Sequence, residues 1–179
     1  MHGIEASEAM VAKLREKPGG ERVHVTIGDI AQADVDDNFT LVLAIGDTLN
    51  LLSTQEAQLA CVQRFAAKLV PQGVFVVEGI ARTPAGPEGS VSVQRIAEDE
   101  VHLFVSRVDP SSQTFRSAQV IIGSEGVRII PVFGRDLPPP ELDLAAALAG
   151  LRLRERWGGW ERETFGPQSR RHVSIYERV

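Results

Sequence analysis

The sequence predicts an α/β fold: a mostly parallel sheet covered by helices, with an antiparallel β-meander inserted into it. Three observations predict this. From Gly3 to Gly79, short apolar runs alternate with segments of helical periodicity, the pattern of βαβ units. From Ser90 to Phe133 four segments of period two follow one another with no helix between them. A helix and two further strands then close the chain, ending in RHVSIYE at 171–177.

Each element has its own justification. Gly3 to Glu5 is the end of a strand. Ser7 is a good N-cap with Glu8 in the first turn, and Met10, Val11 and Leu14 recur at helical spacing. That helix should stop at Lys17, before Pro18-Gly19-Gly20. Val23, Val25 and Ile27 alternate as a strand, which ends at Gly28-Asp29, and a polar turn spans 34–38. Phe39 to Ile45, FTLVLAI, is a continuous apolar run, expected to be covered on both faces. Thr54 should cap a helix over 55–69, ended by Pro71-Gln72-Gly73, and Val74 to Val77 should be a short buried strand closed by Glu78-Gly79. ARTPAGPEG at 81–89 is a Pro/Gly-rich joint. In the meander Val91/Val93, Val101/Leu103/Val105, Ala118/Val120/Ile122 and Val127/Ile129 alternate, so one face should be covered and the other solvated. Pro138-Pro139-Pro140 opens a helix over 141–149, with Gly150 as its stop, and Leu151 to Arg156 alternates as a strand. The expected division is 1–80 with 135–179 as one domain and 81–134 as the β insertion.

Composition bounds the function. The 179 residues are 43% hydrophobic and 24% charged, with a net charge of −5. These are ordinary globular values, and the acidic balance argues against a broad nucleic-acid surface. The longest apolar runs are far short of the roughly 20 residues of a membrane span, and no segment has the pattern of a signal peptide, so a cytoplasmic protein is expected. Cys61 is the only cysteine and reads as an apolar helix core residue. No cluster has metal-ligand spacing.

Five stretches, in order, carry a resemblance: HGIEAS at 2–7 with Met10; IGDI at 27–30; AIGDTLNLL at 44–52; LVPQGVFVVE at 69–78; and the tail ELDLAAALAGLRLRERWGGW followed by HVSIY. Together they resemble the class I S-adenosylmethionine-dependent methyltransferases, nearest to small-molecule members such as sugar N,N-dimethyltransferases. The resemblance implies a Rossmann-like sheet, S-adenosylmethionine as cofactor and a small-molecule acceptor methylated at N or O. It places Glu5, with Ala6 beside it, at the ribose hydroxyls. Asp29, between Gly28 and Ile30, would meet the adenine amino group, with the Ile30 N–H on a ring nitrogen. Ala44, Ile45 and Gly46 would line the methionine side. Met10 is either an adenine contact or a plain core residue. Asp47 and His172 are the candidate catalytic or acceptor-contacting groups, set against a turn role for Asp47 and a structural role for His172. The aromatic loop of Trp157, Trp160 and Phe165 would pack on the sheet or wall a pocket. Arg152, Arg154, Arg156, Arg170 and Arg171 read as solvated faces, with an acidic-substrate patch as the minority reading. In similar methyltransferases an insertion at the meander's place forms a substrate lid or a dimer surface, so a homodimer is expected, with strand exchange as a variant.

One family element is not found: the first strand with its E/D-x-G-x-G loop, which should precede Met1. In the class I order that strand lies between the strands that end at Glu5 and at Ile45. Three explanations are ranked: a sequence that starts late, a strand donated by another chain, or a rearranged fold with a dead site. Two other functions therefore compete with methyl transfer: a non-catalytic cofactor-binding oligomer, and a different nucleotide-binding α/β enzyme. The lack of a Gly-rich phosphate loop counts against the second.

Overall fold

The computed structural model describes residues 1–36, 38–81 and 89–179. Most of the Pro/Gly-rich joint expected at 81–89, and Asp37 of the polar turn, lie outside the described residues. The N-terminal unit is β1 (His2–Glu5), α1 (Glu8–Arg15) and β2 (His24–Ile27). β1 and β2 pair in parallel, Glu5 opposite Ile27. Ser7 caps α1 through its hydroxyl, which accepts from the Met10 N–H. The helix ends at Arg15, two residues before the expected stop, and a 3-10 turn at Gly20–Arg22 leads into β2. Gly20 has to be glycine because a Cβ there would sit 1.9 Å from the Leu14 carbonyl oxygen.

β3 (Phe39–Ala44), α2 (Gln55–Ala67) and β4 (Leu69–Ile80) follow. β3 and β4 are parallel, as expected of this α/β pattern. β4 begins at Leu69, before the expected Val74, because Pro71-Gln72-Gly73 does not end the strand. Gln72 takes a left-handed φ of 63°, and the β3–β4 register shifts across it between Phe39 and Leu41, so the triplet is absorbed as a bulge. After the meander come α3 (Pro139–Leu148), β9 (Leu151–Trp157) and β10 (Arg171–Arg178), and the second sheet runs β3-β4-β10-β9. β10 is antiparallel to both neighbours.

Among the described residues no strand pairs β1 with β3, and the two sheets are joined by side chains instead. His2 and Phe39 meet edge to face at 6.2 Å, Lys68 pairs with Asp34 at 2.8 Å, and Ile30 and Ala31 pack on the core. That core lies between one face of the four-stranded sheet and α2 with α3: Val62, Phe75, Val77, Leu142, Ala146 and Tyr176 are all fully or nearly fully buried. Each large side chain of this kind contributes about 1.5–3 kcal/mol. The run FTLVLAI is covered on one face only: Ala44 is buried, whereas Leu41 and Leu43 on the other face are 50% and 55% exposed.

The meander is β5 (Ser90–Ile96), β6 (Glu100–Asp109), β7 (Thr114–Gly123) and β8 (Gly126–Arg135), four antiparallel strands in sequence order. Its two faces are inverted relative to the expectation. The register stacks Val91, Val105 and Ala118 across the sheet, and likewise Val93, Leu103, Val120 and Ile129. This apolar face is the open one, with Val91 at 69%, Ile129 at 66% and Phe133 at 57% exposure. The opposite face, carrying Phe104, Phe115, Ser117 and Ile121, turns to the rest of the chain, where Phe115, Ser117 and Ile121 are buried.

The meander is held at one end by a buried arginine. Arg135, at the end of β8, donates to Gln58 of α2, to Gln113 of the β6–β7 turn and to Glu141 of α3, at 2.7 Å each. Burial alone would raise the Glu141 carboxyl, but the hydrogen bonds from Arg135, Gln113 and Gln55 outweigh it and hold the group below the ordinary value. Asn50 accepts from the Leu137 N–H at 3.1 Å, and Gly134 lies so close that a Cβ would sit 1.9 Å from the Asn50 carbonyl oxygen.

Candidate functional site

The carboxyl ends of β1, β2, β3 and β4 carry the polar groups, as in open α/β sheets generally. Glu5 ends β1, and one of its oxygens accepts from the Ser7 N–H at 2.8 Å. Asp29 follows β2 through Gly28, whose N–H donates to the Glu5 carbonyl at 3.1 Å. One Asp29 oxygen accepts from the Ala31 N–H at 2.8 Å. Each carboxylate keeps its second oxygen without a hydrogen bond among the described residues. Two such acceptors at adjacent strand ends suit hydroxyl and amino donors, the polar groups of a nucleoside, and not a phosphate. Ala6 is exposed beside Glu5. Met10 is 59% exposed, so it is not the core residue that was one of its two readings. Ile30 turns its side chain to the core.

Past β3 the chain changes direction at two successive left-handed residues, Gly46 (φ 71°) and Asp47 (φ 68°). Ala44 is buried, Ile45 is 38% exposed, and Gly46 has open space where a Cβ would be. Asp47 pays the cost of its conformation with hydrogen bonds: one oxygen accepts from the Ile80 N–H at 2.7 Å and from the Asn50 amide at 3.0 Å. Glu78 ties the same corner from β4. One of its oxygens accepts from the Gly46 N–H at 3.1 Å, and the other from Arg171 of β10 at 2.9 Å.

Over this corner lies a cavity of about 470 Å³. Its floor is Gly46, Asp47, Glu78, Gly79 and Ile80, with Leu51 and Arg171 at the sides. Its roof is Phe104, Phe115 and Val132 of the meander. The inner meander face therefore covers the sheet ends, and the three charged groups of the cavity sum to −1. Sequence reasoning placed Asp47 here but not Glu78, Arg171, Phe104 or Phe115. The two phenylalanines lie on the strand face that interrupts the aliphatic alternation, which was their only signal. Arg171 differs from the other arginines assigned to solvent, and so does Arg156. The Arg156 guanidinium is bonded to Asp143 at 2.5 Å and to the Tyr176 hydroxyl at 3.0 Å.

His172 does not line this cavity. Its ring is 1% exposed, its Nδ1 is 2.8 Å from the Ser174 hydroxyl, and Phe165 packs on it edge to face. Burial, with the Arg156 charge nearby, lowers its pKa to about 4, so the ring is neutral and structural rather than in reach of an acceptor. Phe165 thus packs on the sheet and does not wall the pocket. Cys61 is fully buried in the core, and burial pushes its thiol up to about 12, which removes it as a nucleophile. Among the described residues no group of side chains could hold a metal ion.

A scan against family models matches none, and a search of the curated proteins finds no match. Solved structures do match. The CcbJ methyltransferase from Streptomyces caelestis superposes with a TM-score of 0.91 at 34% identity, covering 99% of this chain and 74% of that one. The chain belongs to the S-adenosylmethionine-dependent methyltransferases. DesVI from Streptomyces venezuelae matches with a TM-score of 0.69 at 25% identity, over 99% and 74% of the two chains. CalS10, an amino pentose methyltransferase from Micromonospora echinaspora solved with S-adenosylmethionine bound, shares the fold with a TM-score of 0.71 at 24% identity, over 99% and 73%. This methyltransferase therefore has the α/β class I fold, and its cofactor is S-adenosylmethionine. No helix of the described residues is long and apolar enough to cross a membrane.

Proposed function

We propose that this methyltransferase transfers a methyl group to a nitrogen or oxygen of a small molecule held in the cavity between the sheet ends and the meander. The single observation that carries the reading is the position of that cavity. Its floor is the Gly46-Asp47 corner, its roof is aromatic, and the nucleoside-type acceptors Glu5 and Asp29 stand at the neighbouring strand ends. Glu5 with Ala6 would hold the ribose, and Asp29 with Gly28, Ile30 and exposed Met10 would hold the adenine. Ala44, Ile45 and Gly46 would hold the methionine side. When bound, S-adenosylmethionine supplies an activated methyl on a sulfonium, so the protein's task is to position an acceptor lone pair about 3 Å away and exclude water. Asp47 takes the acceptor side of that task, because it fixes the corner on which the acceptor rests. His172 keeps only a supporting place, as the buried ring beneath Gly79. A cytoplasmic site of action goes with this reading, and neither a nucleic acid nor a membrane is a partner.

The outer meander face supports a homodimer. It is apolar from β5 to β8, and four strands spaced about 4.8 Å, each about 7–10 residues long at roughly 3.3 Å per residue, make a patch of roughly 500–600 Å² in projection. That is somewhat below the ~800 Å² per partner of a standard interface and at the upper end of the apolar patches that monomers leave open, roughly 300–600 Å². Two copies packed sheet on sheet would cover it.

A second reading, a non-catalytic cofactor-binding oligomer, draws on the edges of β1 and β3 that no strand of the described residues pairs. Calorimetric titration with S-adenosylmethionine and S-adenosylhomocysteine, followed by methyl-label transfer to a panel of amines and alcohols, separates the two. Binding with turnover is expected. No binding at millimolar ligand sinks the methyltransferase reading for this chain, and binding with no turnover on any acceptor favours the second reading.

A further inference from the structure

We infer that Arg171 is the specificity-determining residue of the acceptor cavity, and that the acceptor carries an anionic group, a carboxylate or a phosphate, which this guanidinium receives. The inference rests on the cavity being the acceptor site. Three observations carry it. Arg171 opens β10 and lines the cavity, whereas Arg156 is committed to Asp143 and Arg152 to Glu177. Its side chain is 56% exposed, while that of its partner Glu78 is 12% exposed. Among the described residues one guanidinium nitrogen is engaged, by Glu78 at 2.9 Å.

The asymmetry of the pair decides its behaviour. Glu78 is held from two sides, and its second oxygen keeps the Gly46 N–H whether or not Arg171 stays. Arg171 has five N–H donors, and its half-exposed ion pair is a weak one by general experience, so it can share or leave Glu78 at little cost. A guanidinium presents a planar fork that matches carboxylate and phosphate oxygens two at a time. Glu78 is then a resting counter-ion. It keeps the arginine aimed along the floor and is displaced in part when the acceptor's own anion arrives. Phe104 and Phe115 above would cover the acceptor's apolar body. The Asp47 Oδ1 beside it already accepts from the Ile80 N–H and the Asn50 amide.

The test uses two probes, inorganic phosphate and acetate, titrated into the uniformly 15N-labelled chain. The amide resonances of Gly46, Gly79 and Ile80 are the reporters, and S-adenosylhomocysteine is titrated separately into the same samples. Wild type should show saturable shifts at these amides with at least one probe at millimolar concentration. Which probe saturates first distinguishes phosphate from carboxylate. Arg171→Gln should weaken this at least tenfold, Arg171→Lys less, and Glu78→Gln should tighten it severalfold by releasing the guanidinium while its amide oxygen still accepts from Gly46. Arg171 is half exposed with one side-chain bond among the described residues, so its replacement leaves the fold intact, and the dispersion of the spectrum verifies that. No saturable shift in wild type with either probe, or equal binding by Arg171→Gln, overturns the inference. If S-adenosylhomocysteine still binds in that case, the methyltransferase reading survives. If anions bind and S-adenosylhomocysteine does not, the assignment of the cavity to an acceptor is overturned.

Discussion

The carboxylate of Asp47 accepts a hydrogen bond from the Ile80 N–H at 2.7 Å, and this bond joins the loop after β3 to the last residue of β4. The same oxygen receives the Asn50 amide, and Asn50 in turn accepts from Leu137 beyond the meander. One aspartate therefore ties the cavity floor to the element that carries its roof. Asp47→Ala should remove two hydrogen bonds and leave alanine in a left-handed conformation that only glycine and, less readily, Asn or Asp adopt. A loss of about 2–3 kcal/mol is expected from these terms together. Urea denaturation checks it. Asp47→Asn keeps an accepting oxygen and should lose clearly less.

Gly134→Ala should be among the most damaging single changes in the meander. A Cβ there would lie 1.9 Å from the Asn50 carbonyl oxygen and 2.7 Å from the Phe115 ring, and backbone against backbone cannot give way cheaply. The cost should be about 2–4 kcal/mol, at or beyond the usual range for overpacking. Gly3→Ala, where nothing lies within 4 Å, serves as the control and should stay within about 1 kcal/mol. Thermal melting of the two variants side by side makes the comparison.

Arg135→Met should leave Glu141 partly buried without its cation and Gln58 and Gln113 without a donor. Breaking a buried pair from one side costs about 3–5 kcal/mol. Replacing Glu141 by Gln at the same time should recover part of that, which a double-mutant cycle would read as coupling. Additive losses would show that the ion pair is not the anchor of the meander.

Stability should fall on acidification in two steps. His172 has a folded pKa of about 4 against 6.5 for the free group. Its contribution is complete above pH 6.5 and is lost as pH falls from there toward 4, because only the unfolded chain takes up the proton in that window. The full effect is roughly 3 kcal/mol at about 1.4 kcal/mol per unit. Glu141 and Asp143 are both held below their ordinary values of 4.5 and 3.8. Their contribution is complete above those values and is lost as pH falls through the lower folded ones. For each, burial opposes the shift, and hydrogen bonds outweigh it, chiefly from Arg135 to Glu141 and from Arg156 to Asp143. Denaturation curves between pH 7 and 4 should therefore lose their slope in His172→Asn and keep it below pH 4.

Ile129→Glu should convert the proposed dimer to a monomer without unfolding it. Ile129 is 66% exposed in the single chain, so a carboxylate there is solvated unless a second copy covers it. Sedimentation velocity decides: an unchanged wild-type-like dimer would place the interface elsewhere, and a wild-type monomer would remove the sheet-on-sheet pairing altogether.

Glu5→Ala tests the cofactor end separately. The loss of a charged acceptor should weaken S-adenosylmethionine binding by about 1.5–3 kcal/mol, roughly 10- to 150-fold, with little effect on folding because Glu5 has one hydrogen bond of its own. Calorimetry measures the change, and an unaltered affinity would take Glu5 out of the site.

By itself the sequence determined what is local. Periodicity, caps and turn residues placed the helices and strands to within a few residues. The order HGIEAS, IGDI, AIGD and LVPQGVFVVE pointed to the family through residues that sit at strand ends. Where local signals misled, tertiary pairing had won. Pro71-Gln72-Gly73 reads as a terminator, but β3 pairs with the chain on both sides of it, and the ladder absorbs the triplet as a bulge. Alternation in the meander marked one apolar face, yet which face turns inward is not a property of the strands. It was decided by where Arg135 docks on Gln58 and Leu137 on Asn50, 77 and 87 residues away in sequence. The acceptor cavity follows from the same docking. Glu78, Arg171 and Phe115 come from three separated elements, so no spacing in the chain could bring them together, and only the packed sheet ends could.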